Sequence, residues 1–145
     1  MAEAPGLLEG YRILAKLFEN SSFNNEELTV VWQSINVEHE CNYCVPAHTV
    51  IAHKMKVDPA LTEALRNSAA MPSEKLQVLH DTTIAMVRNR GHLSEEAIQK
   101  FFAVGYEQRQ LLRIGDSRYL YSSLILINTD FETRQNSCRK NKRKN

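Results

Sequence analysis

The chain has 145 residues, 43% of them hydrophobic, 24% charged and three of them cysteine, with a formal net charge of +1; that is the size of one domain with enough apolar material for a core. The start carries Glu3 and Glu9 rather than a basic stretch before an apolar one, and no apolar run approaches the roughly 18 residues of a membrane span, so a soluble, cytoplasmic protein is expected. Six basic and no acidic residues follow from Arg134, whereas residues 1–133 hold twelve basic against seventeen acidic residues, a net of −5, which argues against nucleic acid or a membrane as partner.

In chain order the pattern is helix after helix. Leu7, Leu8, Tyr11, Leu14, Leu17 and Phe18 recur at helical spacing and predict a first helix from about Leu8 to Glu19, closed by Asn20-Ser21-Ser22. Asn24 or Asn25 caps a second, with Glu26 and Glu27 in its first turn and Leu28, Val31, Trp32 and Ile35 as its buried stripe. A third runs from about Tyr43 to Met55; Pro46 fits only in its first turn, which puts Cys44 at or next to its N-terminus. Asp58-Pro59 reads as an N-cap and N1 pair opening a short helix to about Arg66. Ser73 caps a longer one, with Leu76, Leu79, Thr83, Met86 and Val87 inward and Gly91 as its stop. Ser94 caps another that holds Ile98, Phe101 and Phe102 and ends at Gly105.

Beyond that point the periodicity fades. Gln108 to Ile114 begins as an amphipathic helix that Gly115-Asp116-Ser117 is expected to break, and Tyr119 to Ile127 is an apolar run read as helix in preference to strand, because no strand partner exists. The expectation is an all-α, compact multi-helix domain over 1–127, followed by a basic, disordered tail over 128–145.

The chemistry lies between Glu38 and His53. Cys41-Asn42-Tyr43-Cys44 is a C-x-x-C, and in a reducing compartment such a pair is redox-active or metal-binding before it is a structural disulfide. A helix N-terminus stabilises a thiolate through its unpaired N–H groups and dipole, lowering thiol pKa values to roughly 3.5–7.5. His48 follows Cys44 by four residues, one turn on, where it can accept the thiol proton or return one to a leaving group. Glu38, three residues before Cys41, is the nearest acid expected to reach that face, and Glu40 points elsewhere. His39 and Tyr43 are read as lining residues, His53 as rotated off the face, and Trp32, Phe101 and Phe102 as core. Zinc held by Cys41, Cys44, His48 and His39 or His53 would need distorted geometry, since structural sites usually pair two distant clusters.

The segment Cys41-x-x-Cys44-x-x-x-His48, with Tyr43 before the second cysteine, Pro46-Ala47-His48 after it and the Asp58-Pro59 helix beyond, resembles the AhpD-like alkylhydroperoxidase branch of the carboxymuconolactone decarboxylase family. The likeness spans roughly Leu28 to Gln110. It implies an all-helical domain assembling as a trimer or hexamer, and reduction of hydroperoxides by a protein or small-molecule thiol donor, with no cofactor and no metal. The position matching the family's peroxidatic cysteine is Cys44, that of the resolving cysteine is Cys41, and that of the relay histidine is His48. The family's glutamate, twelve residues before the first cysteine, is here Thr29, so the acid is assigned first to Glu38 and second to Glu27.

Two other readings stand beside this one: a general thiol-disulfide oxidoreductase or redox sensor, and a non-catalytic zinc-binding or oligomeric interaction module. Lactone decarboxylation does not require two cysteines and is set lower. The family's last apolar helix has no counterpart after about Leu112, and a terminus translated from an altered reading frame is the expectation drawn from that change.

Overall fold

A computed structural model describes residues 5–117; the expectations for Tyr119 to Ile127 and for the basic tail lie outside them. All regular structure among the described residues is helical: α1 (Pro5–Glu19), α2 (Asn25–Glu38), α3 (Cys44–Lys54), α4 (Pro59–Arg66), α5 (Glu74–Arg88) and α6 (Glu95–Ala103), with a seventh helix, α7, over residues 108–117. No described helix is long and apolar enough to cross a membrane.

The helix starts follow local chemistry. The Asn24 side chain accepts from the Glu27 N–H at 2.9 Å while the Glu27 carboxylate accepts from the Asn24 N–H at 2.9 Å, a reciprocal capping box worth about 1 kcal/mol. Asp58 with Pro59, Ser73 and Ser94 cap α4, α5 and α6 as the sequence predicts. The helix ends use a different device. Glu40, Lys56, Ser68 and Arg90 all adopt left-handed backbone, with φ of 52°, 61°, 52° and 55°. In each case the next residue's N–H reaches back to a carbonyl five residues earlier, as in Cys41 to Asn36 and Val57 to Ala52.

Helix α2 is the axis of the domain, packed by α3, α4 and α5. All ten residues from Glu27 to Asn36 are buried, so the single apolar stripe expected for this helix covers only part of its contact surface. Phe18 of α1 reaches Trp32 edge-on at 6.1 Å, and Phe23, Tyr106 and Phe101 continue the aromatic core away from it.

On α1 it is Tyr11, Ala15 and Phe18 that meet the core, while Leu7, Leu14 and Leu17 stay 40%, 41% and 47% exposed. Two sequence expectations are corrected. Phe102 is exposed and only Phe101 is core, because a nine-residue helix lying on α5 turns one side inward. Helix α7 runs through Gly115-Asp116-Ser117. A glycine inside a helix costs only about 1 kcal/mol, and the complete burial of Ile114 outweighs it.

Candidate redox site

The dithiol sits on the joint between α2 and α3. At the end of α2 the His39 N–H donates to Ile35 O at 3.1 Å, the Glu40 N–H to Val37 O at 2.9 Å and the Cys41 N–H to Asn36 O at 3.0 Å. This pattern turns the chain sharply and holds Cys41 against the helix it has just left. Three residues later Cys44 is the first residue of α3, and Pro46 falls in the first turn, where its missing N–H costs nothing.

The two cysteines are joined as a disulfide with their Cα atoms 5.3 Å apart. The Cys44 N–H donates to Cys41 Sγ at 3.1 Å, so a helix N-terminal donor faces sulfur. Cys41 is 3% and Cys44 8% exposed, whereas Tyr43 between them is 66% exposed. A small oxidant can approach such sulfurs more readily than a bulky disulfide can.

His48 lies one turn beyond Cys44 on α3 and is buried, its ring 5.1 Å from the Trp32 ring at a tilt of 50°. Burial lowers its pKa to about 4. The imidazole is therefore neutral near pH 7 and can accept a proton rather than carry one permanently.

The two candidate acids stand at opposite ends of α2. Both oxygens of Glu38 are held by Arg88, at 2.6 Å from Nε and 2.9 Å from Nη2. Glu27 is buried in its capping box and pairs with Lys75 at 3.0 Å. Trp32, the residue His48 packs on, is five residues from Glu27 and six from Glu38, or about 7.5 Å and 9 Å along the axis. Thr29, at the family's glutamate position, is fully buried and gives its hydroxyl proton to Asn25 O at 2.8 Å. His53 is exposed and off the face, as its spacing predicts.

The structure also brings together side chains that the sequence did not single out. Gln33, Asn36 and Thr49 form a hydrogen-bonded group between α2 and α3. Ser34 and His80 meet at 2.7 Å in a cavity of about 480 Å³ between α2 and α5, which Glu38, Asp81 and Arg88 also line. Neither cysteine lines it. The available signal was weak: polar residues recur at Gln33, Ser34 and Asn36 within a helix whose apolar stripe was already complete. Among the described residues no three His, Cys, Asp or Glu side chains converge as a metal site requires.

Against solved structures the fold has a clear counterpart. The crystal structure of an uncharacterized peroxidase-related protein from Silicibacter sp. TM1040 matches with a TM-score of 0.74 at 17% identity, over 85% of this chain and 66% of that one. The chain shares the fold of that protein. No family model matches the sequence, and neither does any curated protein. The chain spans just under two thirds of that protein's length, and at 17% identity the likeness concerns the path of the helices alone. Within that shared path, a cysteine pair at disulfide distance on the α2–α3 joint is compatible with redox chemistry.

Proposed function

We propose that the protein is a thiol-dependent hydroperoxide reductase of the AhpD-like kind, with Cys44 as the peroxidatic and Cys41 as the resolving cysteine. The observation that carries this reading is the Cys41–Cys44 disulfide at the N-terminus of α3, with His48 one turn on. In the reduced protein, neutral His48 takes the Cys44 thiol proton, the negative thiolate beside it offsetting the burial that disfavours an isolated imidazolium. The thiolate attacks the peroxide O–O bond; Cys44 gains the hydroxyl as a sulfenic acid, and the departing alkoxide takes the proton from His48 to leave as alcohol. Cys41 sulfur then attacks Cys44 sulfur, water leaves, and the disulfide forms. Two electrons and two protons from an external dithiol or small thiol restore the pair.

The acid that steadies His48 is assigned to Glu38, with Glu27 second. For Glu38 this requires exchanging Arg88 for the histidine during the cycle, since both its oxygens are engaged. Comparing Glu38→Gln with Glu27→Gln discriminates between them: the relay acid is the one whose loss lowers the rate of peroxide reduction. The exposed α1 residues Leu7, Ile13, Leu14 and Leu17 support assembly into a homo-oligomer, which sedimentation of the full chain measures.

The deciding experiment is peroxide consumption driven by dithiothreitol. Cys44→Ser should lose it by at least about a hundredfold. Cys41→Ser, reduced and then freed of dithiothreitol, should consume one equivalent of peroxide and stop as the sulfenic acid, because no resolving sulfur follows. Undiminished consumption by Cys44→Ser would overturn the assignment, and reaction with small disulfides but not with peroxides would favour a general thiol-disulfide oxidoreductase.

A further inference from the structure

We propose that Gln33 is a positioning residue for the Cys41–Cys44 couple, acting through the seam between α2 and α3 to set how readily the disulfide forms. The proposal rests on reading the couple as redox-active. The two cysteines are tied to different helices: Cys41, in the turn after α2, donates its N–H to Asn36 O on that helix, and Cys44 is the first residue of α3. How often two reduced sulfurs meet depends on the relation between those helices, because a disulfide tolerates Cα separations of only about 4.4–6.8 Å.

Gln33 occupies that seam and is 0% exposed. Its Nε2 donates to Val45 O at 3.1 Å and to Thr49 Oγ1 at 3.1 Å, both on α3, and the Thr49 hydroxyl donates to the same Val45 oxygen at 2.8 Å. Its Oε1 accepts from Asn36 Nδ2 at 3.2 Å, and the Asn36 carbonyl accepts from the Cys41 N–H at 3.0 Å. An unbroken path of hydrogen bonds and covalent bonds thus leads from the Cys41 amide to Val45, the neighbour of Cys44.

A buried amide is costly unless its donors and acceptor are used. Here they are used across two helices, which fixes direction as an apolar side chain of equal volume would not. Packing alone would hold α3 near α2. The amide defines how its first turn faces the end of α2.

The test is the equilibrium of the couple with glutathione, in which the protein disulfide takes two electrons and two protons from two glutathione thiols to give the dithiol and oxidised glutathione. The oxidised fraction is read by alkylation and mass spectrometry, with no peroxide present. Gln33→Met, close in shape but without the amide, should lower the equilibrium constant for disulfide formation about tenfold, which corresponds to about 30 mV in potential. Thr49→Val, which removes one acceptor of the Gln33 amide, should shift it in the same direction by less. Thr83→Val removes a fully buried hydroxyl on α5 that donates to Leu79 O at 2.7 Å, away from the seam; it should leave the constant within twofold.

A Gln33→Met constant within twofold of the wild type overturns the proposal. So does an equal shift in Thr83→Val at a similar loss of stability, which would mean general loosening. If Gln33→Met fails to fold, Thr49→Val decides, and an unmoved constant there counts against Gln33. Because the readout omits peroxide, a protein that shows the shift but reduces no hydroperoxide would refute the peroxidase reading and leave the role of Gln33 in place.

Discussion

At the scale of single residues, the histidine shows how the fold alters what the motif alone implies. His48 is placed by spacing, but its burial against Trp32 sets its protonation, with a pKa of about 4 against the usual 6.5. A histidine whose folded pKa lies below its unfolded value contributes stability that is complete above the unfolded pKa and is lost as pH falls toward the folded one. The window here runs from about pH 6.5 down to about pH 4, and the loss for this group reaches about 3 kcal/mol at its lower end. Burial lowers the pKa of His39 and His80 as well, which adds to the loss in the same direction. Urea unfolding at pH 7, 5.5 and 4.5 should therefore show falling stability in the wild type and a distinctly shallower fall in His48→Gln. Equal slopes would mean that the imidazole titrates in the folded protein much as it does in water. The cysteines and His48 were legible in the sequence because their relation is local, within a turn of helix. Gln33 was not, because its partners Val45 and Thr49 become neighbours only when α2 and α3 pack.

At the scale of the elements, starts were legible in their caps, and ends where turn residues or a glycine mark them, as Asn20-Ser21-Ser22 does for α1 and Gly105 for α6. Asn24, Asp58-Pro59, Ser73 and Ser94 announce helices because a short side-chain acceptor serves orphan N–H groups from within three residues. Glu40, Lys56, Ser68 and Arg90 terminate helices in left-handed backbone without the glycine that usually marks it. Such a residue carries backbone strain of about 1 kcal/mol. Lys56, exposed and away from the dithiol, is the site at which to measure it. Lys56→Gly should raise the unfolding free energy by about 0.5–1 kcal/mol, with the entropy of the freer unfolded chain limiting the gain. A loss of stability on urea titration would show that the lysine side chain contributes more than the strain costs. Burial of α2 was the larger surprise. Its polar residues are enclosed because each finds a partner on a neighbour or within its own helix: Glu27 with Lys75, Gln33 with Thr49, Ser34 with His80, and Thr29 with Asn25. An apolar stripe cannot announce contacts made through hydrogen bonds.

At the scale of the whole molecule, a redox cycle demands that the fold survive loss of the disulfide. The closed loop spans a sequence separation of only three residues, and constraining so short a segment of the unfolded chain stabilises the fold by about 2 kcal/mol at most. The domain rests instead on α2 packed by α3, α4 and α5, with Trp32, Leu61, Leu65, Leu79 and Phe101 almost wholly buried. None of those side chains depends on a sulfur–sulfur bond for its place. Reduction with dithiothreitol should therefore leave the far-ultraviolet circular dichroism unchanged and lower the thermal midpoint by less than about 10 °C. Trp32 is the only tryptophan in the chain and lies against His48, so its fluorescence should report a local rearrangement on reduction while the helical signal stays constant. Loss of helical signal in parallel with the fluorescence change would mean that the disulfide holds α3 in place. A couple of that kind is a structural clamp, which thiol turnover would unfold.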